Sequence, residues 1–207
     1  MGGSLRFKVG RNHKFMEEAI NRLNISIANA KNDNLFNFKE GPTLLKQLEN
    51  HIPNYAYIYY EVKNEIFNGS YRQKKVKDKL ISYSKITDSN SQLKKYFTVL
   101  REKKKRKYDN EIEVGPSRNI NMGYPPYLGY KRSMNHKWSR HTDCETMLLE
   151  ELSSRFREET LAEVHLFTYL EPCLGCDLTI IKFLKDFPNI DLYIYFFEEK
   201  KNCELMG

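Results

Sequence analysis

Long apolar runs are missing from this sequence. The longest, Leu192 to Phe197, is strand-sized, far short of the roughly 18–20 residues that a membrane helix requires. No basic start, apolar run and small-residue cleavage site mark a signal peptide. Cysteine is scarce as well. Cys144, Cys173, Cys176 and Cys203 are too few and too unevenly placed for a disulfide scaffold, and only two residues separate Cys173 from Cys176, a spacing that points to metal or redox chemistry. No internal repeat is present. Disorder is excluded by an apolar content of 40% with 13% aromatics, enough to build a core. A chain of 207 residues fits a single domain. Met1-Gly2-Gly3-Ser4 reads as a non-native leader, so residues 1–207 are expected to be one domain cut from a longer polypeptide.

Acidic residues are sparse in the first two thirds of the chain. The net charge of +7 divides into 28 Lys+Arg against 13 Asp+Glu over residues 1–140, and 6 against 14 over residues 141–207. Between Arg72 and Lys107 stand 14 basic residues against Asp78, Asp88 and Glu102. The densest part is Arg101-Glu102-Lys103-Lys104-Lys105-Arg106-Lys107. A run of this kind is either a solvated face or a surface that neutralises nucleic-acid phosphates, and charge by itself leaves both open.

Apolar spacing predicts an amphipathic helix over Lys14–Ala30 and a short helix over Leu44–His51, opened by Pro42. Tyr55–Val62 reads as a strand, with Glu65–Arg72 as its hairpin partner across a turn at Lys63-Asn64. Leu93–Lys107 is expected to be helical, with Leu93, Phe97 and Leu100 inward. Residues 111–138 carry no sustained period and read as a long functional loop. Order returns with a helix to about Arg157, a strand over Ala162–Tyr169, a helix over Pro172–Phe187 with Leu178, Ile181 and Leu184 inward, and a buried strand from Ile190. A hairpin followed by helix–strand–helix–strand predicts an α/β sandwich on a mixed sheet, its two late strands parallel through a crossover helix.

Pro172-Cys173-Leu174-Gly175-Cys176 follows a strand and opens a helix. Proline there costs no hydrogen bond, thiols at helix N-termini are readily deprotonated, and two thiolates at this spacing converge on one zinc ion. A redox pair has the same spacing. Upstream, Arg140-His141-Thr142-Asp143-Cys144-Glu145 enters the other helix, with Glu145 28 residues before Cys173. The zinc nucleobase deaminases carry H-x-E on one helix and P-C-x-x-C on the next, with a glutamate that is not a zinc ligand moving protons. Asp143-Cys144-Glu145 has that spacing, with Asp in the ligand place. Thr142 to Glu145 is also a capping box, which accounts for these residues without chemistry but leaves the Pro-Cys-x-x-Cys unexplained.

Residues 138–197, above all HTDCETMLLEEL and LFTYLEPCLGCDLTIIKFLKDFPNI, resemble the bacterial toxin deaminases, cytidine-deaminase-like domains at the C-termini of polymorphic toxins. The resemblance implies a cytidine-deaminase-like three-layer α/β sandwich with Zn2+ held by Asp143, Cys173 and Cys176, and Glu145 as proton shuttle. His141 is the rival third ligand, oriented by Asp143. An aspartate ligand brings the ion and its three ligands to a net charge of −1, which weakens it as a Lewis acid, and Arg140 would offset this. The chain runs only about ten residues past its last clear strand, so a fifth family strand is absent or supplied from elsewhere. Cys144 is expected to face the core, and His165 to be a packed residue.

The reading that follows is a cytosine deaminase acting on nucleic acid, DNA favoured over RNA through the resemblance alone. The insertion at 73–137, between the hairpin and a catalytic core at 138–197, offers backbone contacts through Arg101, Lys103, Lys104, Lys105, Arg106 and Lys107, and Arg140 just beyond it offers one more. Tyr124, Tyr127 and Trp138 offer stacking or wedging surfaces for base extrusion. The alternatives are an RNA or adenine deaminase on the same scaffold, and a zinc-stabilised nucleic-acid-binding module without catalysis. The resemblance further implies a monomeric effector acting in a target cell's cytoplasm, with an acidic immunity protein as partner and no membrane association.

Overall fold

The structure of the chain, a computed structural model, describes residues 4–10, 12–50, 54–67, 70–72, 76–83, 86, 88–98, 144–172 and 174–198. In chain order its elements are β1 (Ser4–Lys8), α1 (Lys14–Asn32), α2 (Gly41–Glu49), β2 (Tyr55–Phe67), β3 (Ser70–Arg72), β4 (Val76–Tyr83), a 3-10 helix (Asp88–Lys95), α3 (Cys144–Arg155), β5 (Leu161–Leu170), α4 (Leu174–Asp186) and β6 (Ile190–Glu198). Across the sheet the order is β1-β6-β5-β2, and β4 and β3 both line the far edge of β2. β1, β6 and β5 are parallel, while β2 runs antiparallel to β5 and to β4.

Both faces of the sheet are covered, which is why its strands are apolar without clean alternation. On one face Ala56, Ile58, Tyr60, Val164, Leu166, Leu192 and Ile194 pack under α3 and α4. On the other, Tyr55, Tyr57, Tyr83 and Phe167 pack under α1, α2 and the 3-10 helix. The result is the expected three-layer α/β sandwich, with β5 and β6 parallel across α4. The edge beside β6 is filled by β1, which pairs with it in parallel, Ser4 opposite Leu192 through Lys8 opposite Phe196.

Three local expectations are corrected. The pair Lys63-Asn64 is no hairpin turn, because β2 continues to Phe67 and the polar pair marks a register irregularity against β5 between Val62 and Asn64. The partner along Tyr55–Val62 is therefore β4, and β3 meets only Glu65–Phe67. The helix expected from Leu93 is interrupted by Thr98, and residues 99–107 lie outside the described residues. Leu93 and Phe97 are buried as predicted, but the Thr98 N–H donates to the Ile81 carbonyl at 2.7 Å and the Ser82 hydroxyl to the Thr98 carbonyl at 2.9 Å, so the β4 edge takes over the main chain. Finally, the fully buried residues of α4 are Cys176, Thr179, Ile180 and Phe183; Leu184 packs against the core but is only partly buried, Ile181 is partly exposed, and the side chain of Leu178 lies outside those described. Apolar residues at 178, 180, 181, 183, 184 and 187 allow two helical faces, and packing on the sheet selects one of them.

Phe183 is fully buried, its ring 5.0 Å from Phe187. Phe183→Ala is expected to remove about 3–5 kcal/mol of stability, measured as a lower denaturant midpoint with an unchanged slope. A loss under about 1 kcal/mol would contradict this packing of α4 on the sheet.

His165 is a packed residue, as expected. It stacks on Phe15 at 4.7 Å and Tyr193 at 5.0 Å, and with its proton on Nε2 it donates to Glu163 Oε1 at 2.7 Å and accepts from the Tyr195 hydroxyl at 3.2 Å. Partial burial pushes the Glu163 pKa up, but the hydrogen bonds from His165 and Lys63 outweigh it and hold the carboxyl below the ordinary glutamate value of 4.5. A depressed folded pKa stabilises the fold above the unfolded value, and the contribution disappears as pH falls through the folded one. Glu163→Gln is therefore expected to flatten the loss of stability below about pH 4.5. Melting curves as steep in acid as the parent's would rule out this contribution.

Candidate active site

The starts of α3 and α4 lie side by side at one end of the sheet. Thr146 Oγ1 and Thr179 Oγ1, both buried, are 3.4 Å apart, and each stands within a turn of a residue that the sequence marks for chemistry. Glu145 is the second residue of α3 and only 1% exposed; Cys176 is the third of α4 and equally buried. The first turn of α3 is buried because Met147, Leu148, Leu149 and Leu152 seat it on the sheet. That seating carries Glu145 inward with them, where the positive end of the helix favours its carboxylate.

Three donors from three parts of the chain grip that carboxylate. Thr168 Oγ1, near the end of β5, lies 2.8 Å from Glu145 Oε1. Asn54 Nδ2, just before β2, donates to the same oxygen at 3.3 Å. The Cys144 thiol faces Oε2 at 3.2 Å, so Cys144 is both a core residue, as expected, and a neighbour of the carboxylate. Asn54 is itself oriented, since the Leu170 N–H donates to its Oδ1 at 3.1 Å.

Two further groups frame this end. Tyr83, fully buried, has a hydroxyl without a hydrogen-bond partner among the described residues; burial, and then the nearby Cys144, push its pKa far above the ordinary value and keep it neutral. Arg6 on β1 pairs with Asp177 at 2.6 Å, which ties the edge strand to the first turn of α4 beside Cys176.

Of the residues singled out in the sequence, the structure therefore describes Glu145 and Cys176 and brings their two helix starts together. Asp143, Cys173, His141, Arg140, Trp138, Tyr124, Tyr127, Arg101, Lys103, Lys104, Lys105, Arg106 and Lys107 lie outside the described residues, as does Cys203. Among the described residues no group of three His, Cys, Asp or Glu side chains is assembled around a common point. A buried thiol in the first turn of α4 is the donor type zinc takes, and the expected remaining ligands immediately precede α3 and α4.

Asn54 and Thr168 were not singled out in the sequence. Asn54 reads there as the end of a helix. Thr168 left a signal: it is the polar member of the row Ala162, Val164, Leu166, Thr168 on one strand face, and a buried hydroxyl needs a partner.

No curated protein matches the chain. Residues 24–198 match the toxin-deaminase family, described as the BURPS668_1122 family of deaminases. That span takes in every described element from within α1 to the end of β6, and with it both helix starts and the buried Glu145 carboxylate. The chain therefore belongs to the toxin-deaminase family.

Proposed function

We propose that this deaminase is a zinc-dependent hydrolase that converts cytosine to uracil in nucleic acid, and that DNA is its substrate. The observation that carries the reading is the buried Glu145 carboxylate, held at the start of α3 beside the thiol-bearing start of α4. Asp143, Cys173 and Cys176 would hold the metal, with His141 as the rival to Asp143. Zinc, when bound, supplies a polarised water at neutral pH.

Glu145 does the proton work. It accepts a proton from the attacking water as the carbon–oxygen bond forms at the amine-bearing carbon, and delivers one to the ring nitrogen. Glu145 then takes the remaining proton from the added hydroxyl and gives it to the departing amine, so that the carbonyl forms as the carbon–nitrogen bond breaks and ammonia leaves. Thr168 and Asn54 engage Oε1. Oε2, where the thiol of Cys144 is a weak donor, is the oxygen suited to these transfers.

Nucleic acid as substrate is supported by the basic segment that follows β3. A cleft of about 500 Å3 beside β4 is lined by Arg22, Lys79, Lys94, Lys95 and Arg155. Asp78 and Glu151 also line it and pair with Arg155, and Lys79 and Lys95 pair with Glu18 and Asp33, so the cleft carries mixed charge with only a small basic excess. Among the described residues no helix is long and apolar enough to cross a membrane. In this reading the domain is a toxin effector acting in the cytoplasm of a target cell, and its immunity partner is an acidic protein that covers the basic face.

The deciding experiment incubates the purified protein, with zinc, with single- and double-stranded DNA and RNA and sequences the products. C-to-U change in DNA is expected. A-to-I change would reassign the base, C-to-U change confined to RNA would reassign the nucleic acid, and binding without base change would leave a non-catalytic module.

A further inference from the structure

We infer that Thr168 and Asn54 are positioning residues that fix the Glu145 carboxylate relative to the start of α4; the inference rests on the catalytic role proposed above. A glutamate at the second position of a helix has three side-chain torsions, and the capping-box alternative would turn it back onto its own helix end. Here groups from outside the helix, Thr168 and Asn54, reach it from the sheet side. Asn54 cannot turn over without loss, because its Oδ1 accepts from Leu170 N–H at 3.1 Å. Its Nδ2 therefore faces both Glu145 Oε1 at 3.3 Å and Thr168 Oγ1 at 3.4 Å. Thr168 Oγ1 in turn reaches Glu145 Oε1 at 2.8 Å and the Leu170 carbonyl at 2.9 Å.

Leu170 is thus held through its N–H by Asn54, and its carbonyl lies 2.9 Å from the Thr168 hydroxyl, whose single proton is given to Glu145 in this clamp. It is also the last residue of β5, and only Glu171 and Pro172 separate it from Cys173. The segment that feeds the thiol-bearing helix and the carboxylate that would work beside it are therefore located by one buried cluster. All three side chains are nearly or fully excluded from solvent, Thr168 at 0%, Glu145 at 1% and Asn54 at 8% exposed. At such a site water does not substitute readily for a lost partner, and an error of about 1 Å in the placement of a reacting group can cost about a hundredfold in rate.

The test uses Thr168→Val, which keeps the shape and removes the hydroxyl, with Thr168→Ser as the rescue. With zinc-loaded protein and a cytosine-containing DNA, Thr168→Val is expected to lower kcat about tenfold to a hundredfold with KM nearly unchanged, and Thr168→Ser to retain most of the activity. Unchanged kcat, or a raised KM with intact kcat, would overturn the assignment. A second readout needs no activity: thermal melts of Thr168→Val, Glu145→Ala and the double variant. Coupled residues predict that Thr168→Val lowers the melting temperature much less once Glu145 is gone; additive shifts would overturn the clamp. Should Thr168→Val not fold, Asn54→Ala takes its place in both comparisons. If the parent protein deaminates nothing, the proposed function fails, while the melting cycle still decides whether the clamp exists.

Discussion

Glu145→Gln is expected to reduce deamination by at least about 10²–10⁴-fold, the range that a positioned general acid–base contributes, with zinc content and melting temperature close to those of the parent. Glutamine keeps the size of the side chain and an oxygen that Thr168 and Asn54 can still hold, so the fold has little reason to change. What it lacks is a site that accepts and returns a proton. Rates measured by uracil release from a cytosine-containing oligonucleotide, beside metal analysis of the same preparation, separate the chemical defect from a structural one. Undiminished turnover in this variant would remove Glu145 from the reaction. Glu145→Ala should be equally inactive but less stable, because it leaves the Asn54 amide and the Thr168 hydroxyl without their buried partner.

Cys176→Ser is expected to abolish both activity and metal retention. Serine is smaller and much less acidic than a thiol, and it is a poor zinc ligand beside the remaining donors. Zinc stabilises only a chain that binds it, by about 4 kcal/mol at a free concentration a thousand times the dissociation constant. The parent should therefore melt at a higher temperature when zinc is added, and the variant should not respond. A variant that retains one zinc per chain would place Cys176 outside the metal site. The same metal analysis on Asp143→Ala and His141→Ala decides the third ligand: loss of zinc in the first and retention in the second is the expected pair of results.

Much of this was legible in the sequence because it depends on local rules. The 19-residue α1 and the strand pair β5 and β6 carry periodicities strong enough to specify an element and its buried face. The spacing of Asp143, Glu145, Cys173 and Cys176 implies two helix starts that must meet, and Thr146 against Thr179 at 3.4 Å shows that those starts do. The misreadings have a common origin. At Lys63-Asn64, at Thr98 and along α4, the local sequence permits two arrangements of similar energy, and a partner distant in the chain selects between them. A polar pair is compatible with a turn or with a bulge, and only the pairing of β2 with β4 and β5 chooses the bulge.

By itself, then, the sequence determined the layered α/β class and the order of the late elements, and it marked Glu145 and Cys176 at two successive helix starts, since these follow from periodicity, capping and spacing within one stretch of chain. Tertiary structure alone decided that β1 forms the edge strand beside β6, that β4 and not the nearer β3 lines Tyr55–Val62 of β2, and that Asn54 and Thr168, 91 and 23 positions from Glu145, close on its carboxylate. Those contacts join residues whose separation along the chain carries no periodic signal. They arise only when burial of both sheet faces brings the end of β5 and the start of β2 next to the first turn of α3, and the buried polar groups gathered there then satisfy one another.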